Sequence, residues 1–208
     1  QTWSQSCRTS PPVHNRDHFP SGKTFDLGFV LDGGLERTGS VQPLFEACNV
    51  RILVDHHKTT NSESYTHSLL DPMASATAQL IFDLIESPKW SIQLDQVIAT
   101  QLFVGLVYDT GSFIYALTTP RAHRIAADLM EAGIDHSLIS ERILLETSKA
   151  GKRLLGEVLS NMEFTDDQQI AWCIVSPEMQ ESTGAIDDDI RSAINHLIFI
   201  RGVQVSLM

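Results

Sequence analysis

Apolar residues in this chain form short continuous runs that alternate with longer segments of helical spacing. The runs Thr24–Leu31 and Arg51–Val54 are typical of buried strands. Mostly helical spacing connects them over Leu35–Cys48, with an interruption near Pro43. A strand, a helix and a strand in this order predict a βαβ unit with two parallel strands. The sequence therefore predicts an α/β protein built on a parallel sheet.

Helical patterns dominate the chain between residues 71 and 161. The polar segment Lys58–Leu70 is predicted to be a loop, and a helix is expected to start within Asp71–Thr77 and to continue to Ile85. Further helices are predicted at about Leu94–Tyr108, Thr119–Met130, Ser137–Glu146 and Lys149–Asn161. The first of these four is apolar on nearly every face, so we expect it to be buried.

The pattern changes after Asn161. It predicts a hairpin formed by Met162–Phe164 and Ile170–Val175. A helix at about Ile186–Ile200 and a final strand at Val203–Leu207 are predicted to follow. One further short strand is predicted near the start, at Pro12–His14. We therefore place a domain boundary near residues 148 to 160, with one domain over residues 1–150 and a smaller mixed α/β domain over residues 151–208.

Composition narrows the class of protein. Hydrophobic residues make up 42% and charged residues 20% of the 208 residues, as in ordinary soluble proteins. No apolar run approaches the roughly 20 residues of a membrane span, so we expect no membrane partner. Three widely spaced cysteines, Cys7, Cys48 and Cys173, indicate a reducing compartment, with the cytoplasm as the default. The net charge of −11 argues against a protein that coats long nucleic acids but leaves small nucleotides open.

Side chains that can bind metal or move protons lie at the ends of the predicted elements. Asp32 follows the first strand, Asp55, His56 and His57 follow the second, and Asp109 follows a buried helix. The carboxyl ends of parallel strands meet at one edge of a sheet, where ligands bind. Converging carboxylates repel each other unless a cation intervenes. Carboxylate and imidazole suit Mn²⁺, Fe²⁺, Co²⁺ or Zn²⁺, and the oxygen-rich mixture favours Mn²⁺.

These residues fall within a set of ordered motifs. Val54–His57 resembles the signature of the DHH phosphoesterase superfamily, and Leu31–Gly39 is similar to the Asp motif that precedes it. The other similar stretches are Asn15–Pro20, before the second motif; Asp71–Ala78, in the helix after the signature; and Gly105–Phe113 with Thr118–Pro120, in the fourth motif. The resemblance covers nearly the whole chain. It is closest to the branch that combines oligoribonuclease with 3′-phosphoadenosine 5′-phosphate phosphatase activity.

The resemblance implies a role for each candidate residue. Asp32, His56 and Asp109 are expected to be Mn²⁺ ligands in a two-metal site. His57 is expected to face the substrate phosphate as a hydrogen-bond donor or general acid. Asp55 is expected to support the metal site from close by, and it is a candidate catalytic residue together with His57. The implied partners are short oligonucleotides or small nucleotides, and the resemblance leaves room for a homodimer.

Four other residues have weaker assignments. Ser75 and Thr77 are expected to cap or pack a helix, although their hydroxyl groups have the chemistry to lie near a phosphate. Arg37 and Lys58 are candidates for holding phosphate because each carries a positive charge close to a motif residue.

The sequence also departs from the family pattern. The family's first motif, a His followed by spaced Asp residues, and its final Gly-Gly-Gly-His motif are not found in these residues. We therefore expect a fragment with an impaired metal site, in which residues 151–208 form part of a DHHA1-like substrate-binding domain. The intact protein is expected to trim short oligonucleotides from one end. A cyclic-dinucleotide phosphodiesterase and a non-catalytic nucleotide sensor stay open as alternatives, and inorganic pyrophosphatase fits less well.

Overall fold

The computed structural model describes residues 25–90 and 92–208, which divide between Leu144 and Leu145 into two compact units. The strand predicted at Pro12–His14 and the motif-like stretch Asn15–Pro20 lie outside the described residues. The sequence places its domain boundary slightly later, after residue 150. The two units are described separately below.

A parallel sheet forms the framework of the first unit. Strand β1 (Leu27–Leu31) pairs with β2 (Val50–Asp55), and β2 pairs with β3 (His67–Leu70). All three strands run parallel with β2 in the centre, which confirms the predicted α/β class. The prediction of a loop over Lys58–Leu70 is wrong at its end, where β3 forms. Only two of the four β3 residues are large and apolar, so the strand depends on pairing with β2 rather than on its own pattern.

The connection from β1 to β2 differs from the interrupted helix that its spacing predicts. Two short 3₁₀ turns, Leu35–Arg37 and Gly39–Val41, precede helix α1 (Gln42–Glu46). Pro43 lies in the first turn of α1, where its missing N–H leaves no hydrogen bond unmade. The proline therefore begins this helix instead of interrupting one.

Four helices build the larger core of the first unit: α2 (Thr77–Ile85), α3 (Gln96–Asp109), α4 (Pro120–Glu131) and α5 (His136–Leu144). Their buried side chains form one cluster that includes Phe82, Phe103, Leu106, Ile125 and Leu129. The cap residues Asp95 and Thr119 accept backbone N–H groups at the starts of α3 and α4. Although α3 is apolar on nearly every face, the prediction that it is buried holds for one side only, since Val97 and Tyr108 are 60% and 72% exposed.

The second unit has a smaller mixed fold. It contains α6 (Lys149–Asn161), β4 (Glu163–Phe164), β5 (Ile170–Trp172), α7 (Pro177–Thr183), α8 (Asp187–Ile198) and β6 (Val205–Leu207). The predicted hairpin is present as the antiparallel pair β4–β5, with β6 parallel to β5. Helix α7 is absent from the sequence prediction. The packing of Leu154, Val158, Ala171 and Leu197 gives this unit a core of its own.

Two observations bear on the environment suggested by the composition. Within residues 25–90 and 92–208, no helix is long and apolar enough to cross a membrane. Cys48 and Cys173 are buried free thiols, one in each unit. The described part of the chain thus shows no disulfide between these two cysteines.

The core of the first unit makes a direct prediction about stability. Leu106 on α3 has 0% exposure, so Leu106→Ala leaves a cavity among the helices. We expect the free energy of unfolding, measured in urea, to fall by about 2–5 kcal/mol. Val97→Ala, on the exposed side of the same helix, should change it by less than about 0.5 kcal/mol. Equal effects of the two substitutions would contradict this description of the core.

Candidate active site

The parallel pairing of β1 and β2 brings two of the predicted motifs together. Leu31 lies opposite Val54, and the Asp32 amide donates a hydrogen bond to the Val54 carbonyl at 3.1 Å. Asp32 therefore lies beside the Asp55–His57 triple at one edge of the sheet. Its φ of 63° lies in the left-handed region, which aspartate adopts more readily than most residues. This turn directly after β1 keeps the Asp32 side chain at the sheet edge.

His56 lies between two carboxylates. Its Nε2 atom is 3.7 Å from Asp32 Oδ1 and 3.7 Å from Asp109 Oδ2. Its Nδ1 atom is 3.2 Å from the carbonyl oxygen of Ala74. With the ring proton on Nδ1, His56 donates to this carbonyl and leaves the Nε2 lone pair directed towards the carboxylates. The structure thus brings together the three residues that the resemblance implies as metal ligands.

Asp109 ends α3 in a strongly acidic environment. Burial raises the pKa of its carboxyl group, and nearby Asp32 raises it further, while His56 and His57 act in the opposite direction. The net rise means that the ionised form is poorly compensated in the protein alone. Like charges held this close favour either a proton or a bound cation between them.

Thr77 makes a contact with the candidate site that the sequence does not predict. It is buried at the first position of α2, and its hydroxyl donates to Asp32 Oδ1 at 2.8 Å. The sequence predicted a capping or packing role, but the residue before the helix, Ala76, has no side-chain cap. Thr77 thus orients a candidate ligand. The only sequence signal for it is its place in the motif after the signature.

Ser75 lies in the turn before α2 and connects two loops of the site. Its hydroxyl donates to the Leu117 carbonyl at 2.7 Å and accepts the Thr119 amide at 3.2 Å. These two hydrogen bonds join the loop between α3 and α4 to the turn before α2, which contains Ala74 and the carbonyl that faces His56 Nδ1. Ser75 accordingly packs the helix starts together instead of lying free at the site.

Asp55 is enclosed and fully hydrogen-bonded. Its exposure is 0%, and its Oδ1 accepts the His56 amide at 2.8 Å, the His57 amide at 3.3 Å and His57 Nδ1 at 2.7 Å. Its Oδ2 accepts the Thr60 hydroxyl. Burial alone raises the pKa of Asp55, but these bonds outweigh it, and the pKa lies below its usual value. The ionised carboxylate therefore holds the loop after β2 and orients His57.

His57 is more accessible than Asp55 or His56. Its side chain is 36% exposed, and its ring meets the His56 ring edge-on with centroids 4.6 Å apart. With Nδ1 bonded to Asp55, its Nε2 is available to a ligand. One ligand atom each of Asp32, His56 and His57 lies within 4.8 Å of the others, an arrangement that suits a metal ion. The geometry therefore permits both phosphate contact and metal ligation by His57.

The two basic candidates differ in their placement. Arg37 packs over the turn after Asp32, since a Cβ on Gly33 would come within 2.7 Å of its Cδ. The aliphatic part of the Arg37 side chain therefore lies against the residue that follows the candidate ligand Asp32. Lys58 is exposed directly after His57.

Comparison with known proteins adds independent information. The chain is 31% identical over 158 residues to a bifunctional oligoribonuclease and PAP phosphatase NrnA from Thermus thermophilus, covering 75% of this chain and 45% of that protein. An exopolyphosphatase-related protein from Bacteroides fragilis has a similar structure, with a TM-score of 0.79 and 27% identity over 86% of this chain and 53% of that one. The chain belongs to the DHH phosphoesterase superfamily.

Further comparisons show what else the chain is similar to and how much of its relatives it covers. No protein-family model matches the chain. A cyclic-di-AMP phosphodiesterase PdeA from Listeria monocytogenes is 28% identical over 169 residues, 79% of this chain and 24% of that protein. This DHH-superfamily chain spans about half the length of the NrnA relatives that it matches.

The Asp55–Thr60 contact in this DHH-type site makes a prediction about stability. Thr60→Val removes the hydroxyl that donates to a buried, ionised acceptor. We expect Thr60→Val to lower the free energy of unfolding by about 1–3 kcal/mol. Thr60→Ser keeps the hydroxyl and should therefore retain most of the parent's stability. Because the folded-state pKa of Asp55 is lowered, this contribution is present above the ordinary pKa of aspartate and is lost only as the pH falls through the folded-state value.

Urea unfolding at about pH 7 and about pH 5 should therefore give the same difference between Thr60→Val and the parent. Thr59→Val is a matched control, because Thr59 is exposed one position earlier in the same loop. It should leave the stability unchanged. If Thr60→Ser were as unstable as Thr60→Val, the hydroxyl would not be the stabilising group.

Proposed function

We propose that this protein is a metal-dependent phosphoesterase that hydrolyses short oligonucleotides and removes phosphate from 3′-phosphoadenosine 5′-phosphate. The observation that carries this proposal is the position of His56 Nε2, 3.7 Å from both Asp32 and Asp109. The similarity to proteins named as oligoribonucleases and PAP phosphatases supports the choice of substrate. The chain covers under half of those relatives, so the proposal concerns the full protein that contains it.

The donor set fits a divalent cation. Two carboxylates and an imidazole meet at one place, and the raised pKa of Asp109, caused by burial and by Asp32, is what a cation would reverse. Oxygen-rich sites with one or two imidazoles suit Mn²⁺. Asp32, His56 and Asp109 would hold the metal in this proposal. When bound, such a metal supplies Lewis acidity towards phosphoryl oxygens and increases the acidity of an attacking water.

His57 is the proposed proton donor. The Asp55 carboxylate lies 2.7 Å from His57 Nδ1, which fixes the orientation of the ring and leaves Nε2 free to face a ligand. Its Nε2 can then donate a hydrogen bond to a phosphate oxygen, or a proton to the leaving oxygen. Asp55 acts by positioning His57, since its own oxygens are already occupied by donors of the loop.

One alternative has specific support. The similarity to the cyclic-di-AMP phosphodiesterase PdeA favours a cyclic dinucleotide as the second candidate substrate. The chemistry at phosphorus would be the same, with the same residues in the same roles. A homodimer, which the family resemblance left open, stays a prediction that light scattering can test.

Metal binding provides the first test. We expect Mn²⁺ to bind to the protein in isothermal titration calorimetry, and Asp32→Asn or His56→Ala to weaken binding by at least about 10-fold. Asp128→Asn is the control, because Asp128 is an exposed carboxylate on α4. It should leave Mn²⁺ affinity unchanged. We refer to Asp32, His56 and Asp109 as the Asp–His cluster. Equal binding by all variants would show that this cluster does not hold the metal.

Hydrolysis provides the second test. With Mn²⁺, the full protein should hydrolyse a dinucleotide and 3′-phosphoadenosine 5′-phosphate faster than a long oligonucleotide or a cyclic dinucleotide. His57→Ala should lower the rate by about 100-fold or more if His57 is a general acid. Preference for the cyclic dinucleotide would favour the alternative substrate. Tight binding of intact nucleotides without any turnover would instead indicate a sensor.

A further inference from the structure

Large apolar and aromatic residues are exposed on two segments that adjoin the candidate site: the turn before α2, and the end of α3 with the loop that follows it. They are between 43% and 72% exposed: Met73, Tyr108, Ile114, Tyr115 and Leu117. Exposed apolar groups that gather at one place usually mark a binding surface. We refer to these five residues as the apolar rim.

The rim is physically connected to the candidate site. Met73 precedes Ala74, whose carbonyl faces His56 Nδ1 at 3.2 Å, and Tyr108 precedes Asp109. The Leu117 carbonyl accepts the Ser75 hydroxyl at 2.7 Å, which joins the two loops. A ligand whose phosphate lies at the cluster therefore has apolar surface within its reach.

Tyr115 is the rim residue with the most defined position. Its amide donates to the Thr110 carbonyl at 3.0 Å, next to Asp109. Its ring lies against Gly111, where a Cβ would come within 2.6–2.8 Å of three ring carbons. Gly111 also has a φ of 53°, so the turn and the close ring contact both favour glycine. The ring is thus supported by the backbone, while 46% of the residue stays exposed.

The charge of the chain makes this aromatic surface informative. With 26 acidic and 15 basic residues, the protein cannot hold a nucleotide through a general positive field. A nucleobase stacked on an aromatic ring gains affinity without any charge, and this contact tolerates every base because each has a π-face. Stacking can therefore provide affinity for a nucleotide that charge attraction does not provide in this acidic chain.

We propose that Tyr115 is a stacking platform for the nucleobase of a nucleotide whose phosphate lies at Asp32, His56 and Asp109. This inference rests on the proposed function. It assigns a binding residue to the nucleobase, which is the part of the substrate that the Asp–His cluster does not contact. It assigns Tyr115 to base binding, with no role in the chemistry at phosphorus. It also predicts weak discrimination among the four bases.

The test uses 2-aminopurine riboside 5′-monophosphate, whose fluorescence is quenched when its base stacks. Titration of the full protein with Mn²⁺ present should quench this probe. Tyr115→Ala should weaken binding by about 10-fold or more and remove the quenching, whereas Tyr115→Phe should retain both. Trp90→Ala is a matched control, because Trp90 is also an aromatic residue with 46% exposure. Trp90 lies after the C-terminal end of α2, whereas Thr77, which contacts Asp32, lies at the N-terminal end of that helix. Trp90→Ala should therefore change neither the affinity for the probe nor its quenching.

Binding of inorganic phosphate separates this inference from the proposed function. Mn²⁺-dependent phosphate binding should be equal in the parent and in Tyr115→Ala. If the parent binds phosphate but Tyr115→Ala still binds and quenches the probe fully, the stacking inference is overturned and the proposed function stands. If the parent binds neither phosphate nor probe, the proposed function itself fails. A changed oligomeric state of Tyr115→Ala would identify the rim as a contact between copies and would also overturn the inference.

Discussion

Asp55 ends the central strand β2 with an ionised carboxylate that has no exposure to solvent. Burying a charge in this way is costly unless donors surround it. Here two backbone amides, the His57 ring and the Thr60 hydroxyl meet that requirement. The same bonds fix the backbone after β2 and the ring of His57, while the ring of His56 faces the Ala74 carbonyl. The stability of this loop and the geometry of the site therefore share one cause.

The other site residues converge at some energetic cost. Asp32 adopts a positive φ, and Asp109 is held near Asp32 with a raised pKa that burial and this neighbour cause. Such strain persists only where the surrounding structure fixes it, and it is concentrated at functional sites. Pairing of β1 with β2, together with the Thr77 hydroxyl, provides that constraint for Asp32. A cation would lower the cost at both carboxylates by binding only the folded arrangement.

The parallel sheet, the main helices of the first unit and the position of Asp32 beside the Asp55–His57 triple all followed from the sequence. These features depend on apolar periodicity and on the rule for strand ends, which are local properties. Strand β3 was missed because four residues with two polar side chains carry no clear period. The contact between Thr77 and Asp32 spans 45 positions of the chain, so no local pattern indicates it. The ring of Tyr115 on Gly111 depends likewise on a three-dimensional turn.

Selection of a substrate must depend on residues outside the Asp–His cluster. Relatives named for oligoribonuclease and PAP phosphatase activity, and one named for cyclic-di-AMP hydrolysis, are similar to 75% and 79% of this chain. The substrates in those names share a phosphate ester and differ in the groups attached to it. A cluster that contacts only the phosphate distinguishes them poorly, because equal contacts give equal affinities. In the proposed function, the exposed rim next to Asp109 is the surface that would contact the attached groups, so differences in its residues would change specificity.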